Sequence, residues 1–95
     1  MVQLADIRRA AVDAAKEYPV KRMELFGSYA TGEADEDSDV DFLVEFIESP
    51  VSIARICGLR EYLSERLKTD VDVVKLPYEE NDGFKIGRRI CLYGT

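Results

Sequence analysis

Two aspartates lie inside stretches of sequence that otherwise favour β-strands. Asp41 and Asp72 each stand between two apolar residues, at positions where aspartate is disfavoured. Because strand residues two apart point to the same side, Asp39 should share a face with Asp41. A neighbouring strand could bring Asp72 beside them. We therefore expect three carboxylates to converge on one face of a sheet.

Clustered carboxylates suit one kind of chemistry in particular. Like charges at close range raise each other's pKa, so the cluster needs a cation to neutralise it or solvent to screen it. Magnesium meets this need, because it prefers carboxylate and water oxygens and completes its coordination shell with substrate phosphates. Two such ions, about 3.5 to 4 Å apart, could clamp the attacking and leaving oxygens of a phosphoryl displacement. The pattern therefore favours metal-assisted phosphoryl transfer.

The acidic stretch around these residues has two simpler explanations. Six of the nine residues from 33 to 41 are acidic, and most charge runs are solvated loops. The strand positions of Asp41 and Asp72 argue against that explanation. The other is a calcium loop, because four acids have the spacing of an EF-hand: Asp37, Asp39, Asp41 and Glu48. The glycine that such a loop needs at its turn is replaced by Phe42, which excludes it.

A glycine and a serine follow the strand that precedes the acidic stretch. Gly27 lacks a side chain, and the hydroxyl of Ser28 is positioned to cap the next turn. Backbone N–H groups at a helix start attract anions, so a phosphate could lie against these amides. A P-loop is excluded, because Glu33 and Ala34 stand where that motif requires lysine and a hydroxyl residue. Taken alone, a glycine-serine turn is more often structural.

Hydrophobic periodicity predicts the helices that must support these residues. Apolar residues recur at three- and four-residue spacing over residues 4–18, which predicts an amphipathic helix that Pro19 ends. Ser49 and Pro50 predict the N-cap and the first residue of a second helix, which should run to about Lys68.

Alternating patterns predict the strands. Three segments alternate apolar and polar residues, namely 20–26, 40–46 and 71–76, and the apolar side of the second belongs in the core. The tail, residues 84–93, fits either a helix or a short strand. The order predicts an α/β (α+β) fold, in which a mixed sheet has helices packed on one face and the acidic site on the other.

Composition excludes several classes of protein. The 95 residues suit one domain, and a net charge of −6 opposes direct nucleic-acid binding. The longest apolar run is four residues, far below the about 18 to 20 of a membrane helix, and no secretion signal begins the chain. We therefore expect a cytoplasmic protein without membrane contact, with Cys57 and Cys91 reduced and half-buried. Histidine is absent, which removes the usual general base.

Together these features resemble the minimal nucleotidyltransferases of the DNA polymerase β superfamily. The resemblance rests on a glycine-serine pair that ten residues separate from a double aspartate: Gly27-Ser28 and Asp39-Val40-Asp41. It extends to both long helices and to the strand that contains Asp72. It implies a nucleotidyltransferase fold that spans residues 1–95 as a single domain.

The resemblance also implies a role for each candidate residue. Asp39 and Asp41 would bind the Mg²⁺ ions that hold a nucleoside triphosphate. Asp72 would be the third metal-binding carboxylate and would help to deprotonate the acceptor hydroxyl. Gly27 and Ser28 would hold the triphosphate tail. All three aspartates would thus be catalytic.

Members of this family are often partners of a helical HEPN-domain protein in a toxin–antitoxin pair, and some transfer AMP from ATP to tyrosine of the toxin. The resemblance implies such an antitoxin, alone or in a homo- or hetero-oligomer. The alternative is an antitoxin with little or no activity that neutralises its partner by binding. The family often has arginine where this chain has Thr31. Four cations could replace it: Lys21, Arg22, Lys75 or Arg88.

Overall fold

The computed structural model describes residues 2–47, 50–76 and 88–94. Helices and strands follow one another as α1 (Leu4–Glu17), β1 (Val20–Phe26), α2 (Ser28–Thr31), β2 (Val40–Phe46), α3 (Ile53–Leu67), β3 (Val71–Leu76) and β4 (Ile90–Tyr93). The three predicted strands are confirmed. The end of the tail, for which the sequence left helix and strand open, is a strand; the rest of that tail up to residue 87 lies outside the described residues.

The strands form a mixed sheet in the order β3-β2-β1-β4. β1 pairs antiparallel with both β2 and β4, whereas β2 pairs parallel with β3. Parallel neighbours cannot be joined by a tight turn, so α3 forms the crossover between β2 and β3. The predicted mixed sheet with helices is confirmed.

One face of the sheet and the two long helices form the main core. The side chains of β2 alternate, and those that face the helices are buried, with 0% exposure for Val40, Phe42 and Val44. The buried face of α1 consists mostly of alanine, namely Ala10, Ala11 and Ala14, which allows a close approach to the sheet. The buried face of α3 consists of leucines four residues apart, namely Leu59, Leu63 and Leu67. No described helix is long and apolar enough to cross a membrane.

Local chemistry explains where α1 ends and where α3 begins. Tyr18 is extended, with φ −126° and ψ 154°, as the following Pro19 requires, so the predicted end of α1 is confirmed. The predicted start of α3 is wrong. Its N-cap is Ser52, whose Oγ accepts a hydrogen bond of 3.2 Å from the backbone N–H of Arg55. Ser49 lies outside the described residues.

Both cysteines are exposed, so the prediction that they are half-buried is wrong. Cys57 precedes the buried Leu59 by two residues and therefore lies on the opposite side of α3. Cys91 alternates along β4 with the buried Leu92. Neither cysteine is in a disulfide, as the sequence predicts.

We predict that Ser52→Ala lowers the free energy of unfolding by about 1 kcal/mol, because the Arg55 amide loses the side-chain acceptor and keeps only the backbone carbonyl of Ser52. Ser52→Thr keeps an acceptor at this position and should cost much less. Urea unfolding of the three proteins measures the difference. Equal stability of Ser52→Ala and the unchanged protein would place the functional cap elsewhere.

Candidate functional site

One end of the sheet brings the predicted site residues together. β1 ends there while β2 and β3 begin, because β1 is antiparallel to β2 and β2 is parallel to β3. Phe26 pairs with Asp41, and Asp41 pairs with Asp72, so the two aspartates are direct neighbours on adjacent strands. The backbone N–H of Val40 donates to the carbonyl of Asp70 over 3.0 Å and ties the two strand starts together.

The aspartates lie on the face of the sheet that is opposite the long helices. Asp41 alternates with Val40 and Phe42, which both belong to the helix-side core. Asp72 follows the buried Val71 in the same way on β3. The register therefore puts Asp41 and Asp72 on one side of the sheet, and Asp39 lies just before β2 begins.

A small second apolar cluster lies on this same face, and the sequence analysis missed it. Phe26 and Leu43 are 8% and 0% exposed, and Val74 packs against them. Phe26 is the register partner of Asp41, and Leu43 is two residues farther along β2. The carboxylate of Asp41 consequently has apolar neighbours as well as charged ones.

The electrostatics of Asp41 reflect both kinds of neighbour. Its pKa is raised from 3.8 to about 6, first because burial disfavours the charged form, then because of repulsion from Asp72 and from Asp39. The contribution of both charges indicates that the three carboxylates interact. Close to neutral pH the site is under electrostatic strain that a bound cation would relieve.

The three carboxylates have the ligand chemistry that a hard divalent cation prefers, although they are not already arranged as a metal site. Within residues 2–47, 50–76 and 88–94, no three acidic or cysteine side chains are spaced as a finished metal site. The oxygens of Asp39, Asp41 and Asp72 are the ligand type that Mg²⁺ prefers, and burial, followed by repulsion from Asp72 and Asp39, raises the pKa of Asp41. One or two carboxylates with water and phosphate oxygens suffice for this ion.

Gly27 contacts the carboxylate of Asp41 and has a backbone conformation that favours glycine. Its φ of +74° is a region that side chains rarely adopt, and a β-carbon there would clash with Oδ2 of Asp41 and lie 3.1 Å from its Cγ. Gly32, at the end of α2, has a similar φ of +84° but open space around it. Gly27 thus leaves room for the carboxylate, a function that the sequence could not reveal.

The turn after Gly27 is the short helix α2. The N–H groups of Ala30 and Thr31 donate to the carbonyl of Gly27, which leaves the amides of Ser28 and Tyr29 as the first of the helix. The hydroxyl of Thr31 donates to the carbonyl of Ser28 over 3.2 Å. Thr31 therefore bonds within its own turn.

The acidic stretch contains a structural aspartate beside the candidate ligands. Oδ1 of Asp35 accepts hydrogen bonds from the backbone N–H of Asp37 over 2.9 Å and from the hydroxyl of Ser38 over 3.1 Å. The N–H of Asp35 donates in turn to Oγ of Ser38 over 2.9 Å. These hydrogen bonds stabilise the turn that precedes Asp39, so part of the acidic stretch has a structural role.

Two of the four cations that could replace the family arginine are engaged elsewhere. Lys21 lies 3.7 Å from Glu45, and Arg22 lies 3.5 Å from Glu45 and 3.7 Å from Glu24. Glu45 follows Asp41 by four residues along β2, which is about 13 Å of strand, so these ion pairs hold Lys21 and Arg22 away from the aspartates. Arg88 and Lys75 are exposed.

The sequence is similar to that of known proteins over most of its length. Residues 7–91 match the family model described as nucleotidyltransferase domain. A protein of Methanocaldococcus jannaschii named as a candidate protein adenylyltransferase, MJ0128, is 44% identical over 73 residues, 76% of this chain and 74% of that protein. Protein adenylyltransferase MntA of Thermococcus cleftensis is 49% identical over 57 residues, 60% of this chain and 57% of MntA.

Solved structures agree with these similarities. A structure described as a candidate minimal nucleotidyltransferase is 36% identical, has a TM-score of 0.65 and covers 76% of this chain and 72% of its own. A toxin–antitoxin crystal structure with AMP-PNP has a TM-score of 0.77 and 23% identity, and covers 93% of this chain and 73% of its own, which shows the shared fold. The predicted fold class and the predicted resemblance are both confirmed.

We predict that Gly27→Ala costs more stability than Gly32→Ala. Gly32 has the left-handed conformation, in which a side chain costs about 1 kcal/mol, whereas Gly27, with φ 74° and ψ −155°, lies in a region that only glycine commonly adopts and also contacts a carboxylate. In an Asp41→Ala background Gly27→Ala should cost less than in the unchanged protein, because the clash is gone, whereas the cost of Gly32→Ala should not change. Urea unfolding of this double-mutant cycle measures the coupling; a coupling of zero would show that Gly27 does not make room for Asp41.

We predict that Asp41→Asn stabilises the metal-free protein near pH 7.5 but not near pH 4. With a raised pKa, folded Asp41 keeps its proton to higher pH than the unfolded chain, so stability falls as pH rises from about 4 through 6. After screening by solvent the gain should be about 1 kcal/mol.

Thermal unfolding in EDTA at both pH values measures this effect, and Asp37→Asn is the matched control on the same acidic stretch. A gain that is the same at both pH values would contradict the assigned cause.

Proposed function

Because the chain belongs to the nucleotidyltransferase domain family, we propose that it transfers a nucleoside monophosphate, AMP from ATP, to a hydroxyl of a partner protein. The observation that supports this most is the pairing of Asp41 with Asp72 across β2 and β3, beside the Gly27 turn. We treat residues 1–95 as one such catalytic unit. The names of its relatives, protein adenylyltransferases, favour AMP as the transferred group.

In this proposal the aspartates divide the work. Asp39 and Asp41 would hold Mg²⁺, whose charge would offset that of the triphosphate. Asp72 would be a ligand as well, and its carboxylate is exposed to solvent. The raised pKa of Asp41 supports the need for a cation at this point. The first amides of α2 and the hydroxyl of Ser28 bind the triphosphate tail.

The transfer step balances without any further reactant. The acceptor oxygen forms a bond to the α-phosphorus of ATP, and the bond from that phosphorus to the oxygen shared with the β-phosphate breaks. Pyrophosphate leaves with the electron pair of that bond. The carboxylate of Asp72 accepts the proton of the acceptor hydroxyl. Histidine is not needed, because a carboxylate acts as the base.

The partner we propose is a HEPN-domain protein, to which this chain would act as antitoxin in the cytoplasm. Similar folds occur in structures described as MNT antitoxin with HEPN toxin, including one whose toxin is tri-AMPylated. The net charge of −6 would favour association with a basic partner. The acceptor hydroxyl would then belong to that partner.

A second candidate function is neutralisation by binding alone. It is favoured by Thr31, which stands at the position of the family arginine and bonds to its own turn. It is also favoured by Lys21 and Arg22, which are paired with Glu45 rather than close to the aspartates. Such a protein would form the complex without turnover.

We predict that this chain, incubated with Mg²⁺, ATP labelled at the α-phosphate and the product of the adjacent gene, labels that product. Asp41→Asn should reduce labelling by roughly a hundredfold or more, because it removes a ligand worth several kcal/mol to the transition state. Asp37→Asn is the matched control and should label normally. Complex formation without label in any of the three proteins would support the binding-only function instead.

A further inference from the structure

A concave site lies between α1, α2 and the end of α3, and none of the three aspartates lines it. It has a volume of about 540 Å³, within the range of about 300 to 1,000 Å³ that is usual for small-molecule sites. We call it the rear cavity. Its walls come from the first turns of α1, from α2, from the acidic stretch and from the end of α3, with lining residues that include Asp6, Arg9, Tyr29, Glu36, Arg66 and Lys68.

Three cations from two separate helices line the rear cavity. Arg66 is held in place: its guanidinium donates to Asp13 over 2.9 Å and to the hydroxyl of Tyr62 over 2.7 Å, and its Cζ lies 5.1 Å from the Tyr62 ring centre. Neither Arg9 nor Lys68 makes an ion pair within the described parts of the chain. Two of the three positive charges are thus available to a ligand.

Lys68 occupies a position that would ordinarily favour glycine. It ends α3 with φ +54°, the left-handed conformation, which costs a side chain about 1 kcal/mol. Lys68 and Arg66 also complement the negative end of α3, which is a structural reason for their presence. That reason does not apply to Arg9, which belongs to α1 and faces the same cavity.

The remaining lining groups suit the rest of a nucleotide. Tyr29 offers an aromatic ring, and Glu36 and Asp6 offer carboxylates that can accept hydrogen bonds from sugar hydroxyls or from an amino group of a base. A simple inorganic anion would not use these groups.

We propose that the rear cavity binds a nucleoside monophosphate, with its phosphate on Arg9 and Lys68 and its nucleoside toward Tyr29 and the two carboxylates. This binding needs no metal and does not depend on transfer activity. The cavity and the aspartate site share α2 and the acidic stretch, since Tyr29 follows Ser28 and Glu36 precedes Asp39 by three residues.

Calorimetric titration of AMP in EDTA tests the proposal on the unchanged protein and on four variants of it. Lys68→Gly removes a cation and also relieves the left-handed backbone, so weak binding there cannot be attributed to unfolding. Arg9→Gln removes the cation of α1. Lys16→Gln removes an equal charge from α1 outside the cavity and is the control. Asp39→Asn with Asp41→Asn disables the aspartate site.

We expect Lys68→Gly and Arg9→Gln each to weaken AMP binding roughly tenfold or more, as loss of a hydrogen bond to a charged group implies. Lys16→Gln and the double aspartate variant should bind as the unchanged protein does. Adenosine and inorganic phosphate, tested separately, should each bind more weakly than AMP. Absent AMP binding, or binding lost only in the double aspartate variant, would overturn the proposal without bearing on the transfer assay.

Discussion

The repulsion between Asp41 and Asp72 is the interaction on which the rest of the site depends. Two carboxylates face each other across a parallel strand pair, and the apolar pair Phe26 and Leu43 limits the solvent that could screen Asp41. A fold keeps such an arrangement only if the strands are held by something stronger. Here the helix-side core holds them, because the same strands contribute fully buried valines and phenylalanine to it.

Much of this could be predicted from the sequence because strand periodicity is a local property. Alternation alone assigns Asp41 to the face opposite Phe42, and an aspartate between valines marks Asp72. The contact between Gly27 and Asp41 could not be predicted in that way. It depends on the antiparallel register of β1 and β2, which pairs Phe26 with Asp41 and is set by the whole sheet. The apolar cluster on the same face depends on that register too.

The sequence predicted two features of α3 wrongly, namely its first residue and the burial of Cys57. A serine followed by proline is a good helix start, but Ser52 caps the helix three residues later because its oxygen reaches the Arg55 amide. The apolar residues of α3 form a broad stripe that includes Cys57 and therefore predicted its burial. The helix buries only the side that contains Leu59 and Leu63. Ile53 is 78% exposed for the same reason. Apolar spacing indicates a helix more reliably than it indicates which side of the helix is covered.

Charged residues of this chain differ in whether the protein itself provides them with hydrogen-bond or ion-pair partners. That difference distinguishes charged residues with a structural role from candidate ligand-binding residues. Asp35 accepts two hydrogen bonds from its own turn, and Arg66 is bonded to Asp13 and Tyr62. Asp41, in contrast, has neighbours that make its charge less stable. A charge in unfavourable surroundings lowers stability, and such groups occur most often where a protein binds a ligand or performs chemistry. The short helix α2 begins at Ser28, next to the Gly27 that contacts Asp41, and contributes Tyr29 to the rear cavity, so one element borders both.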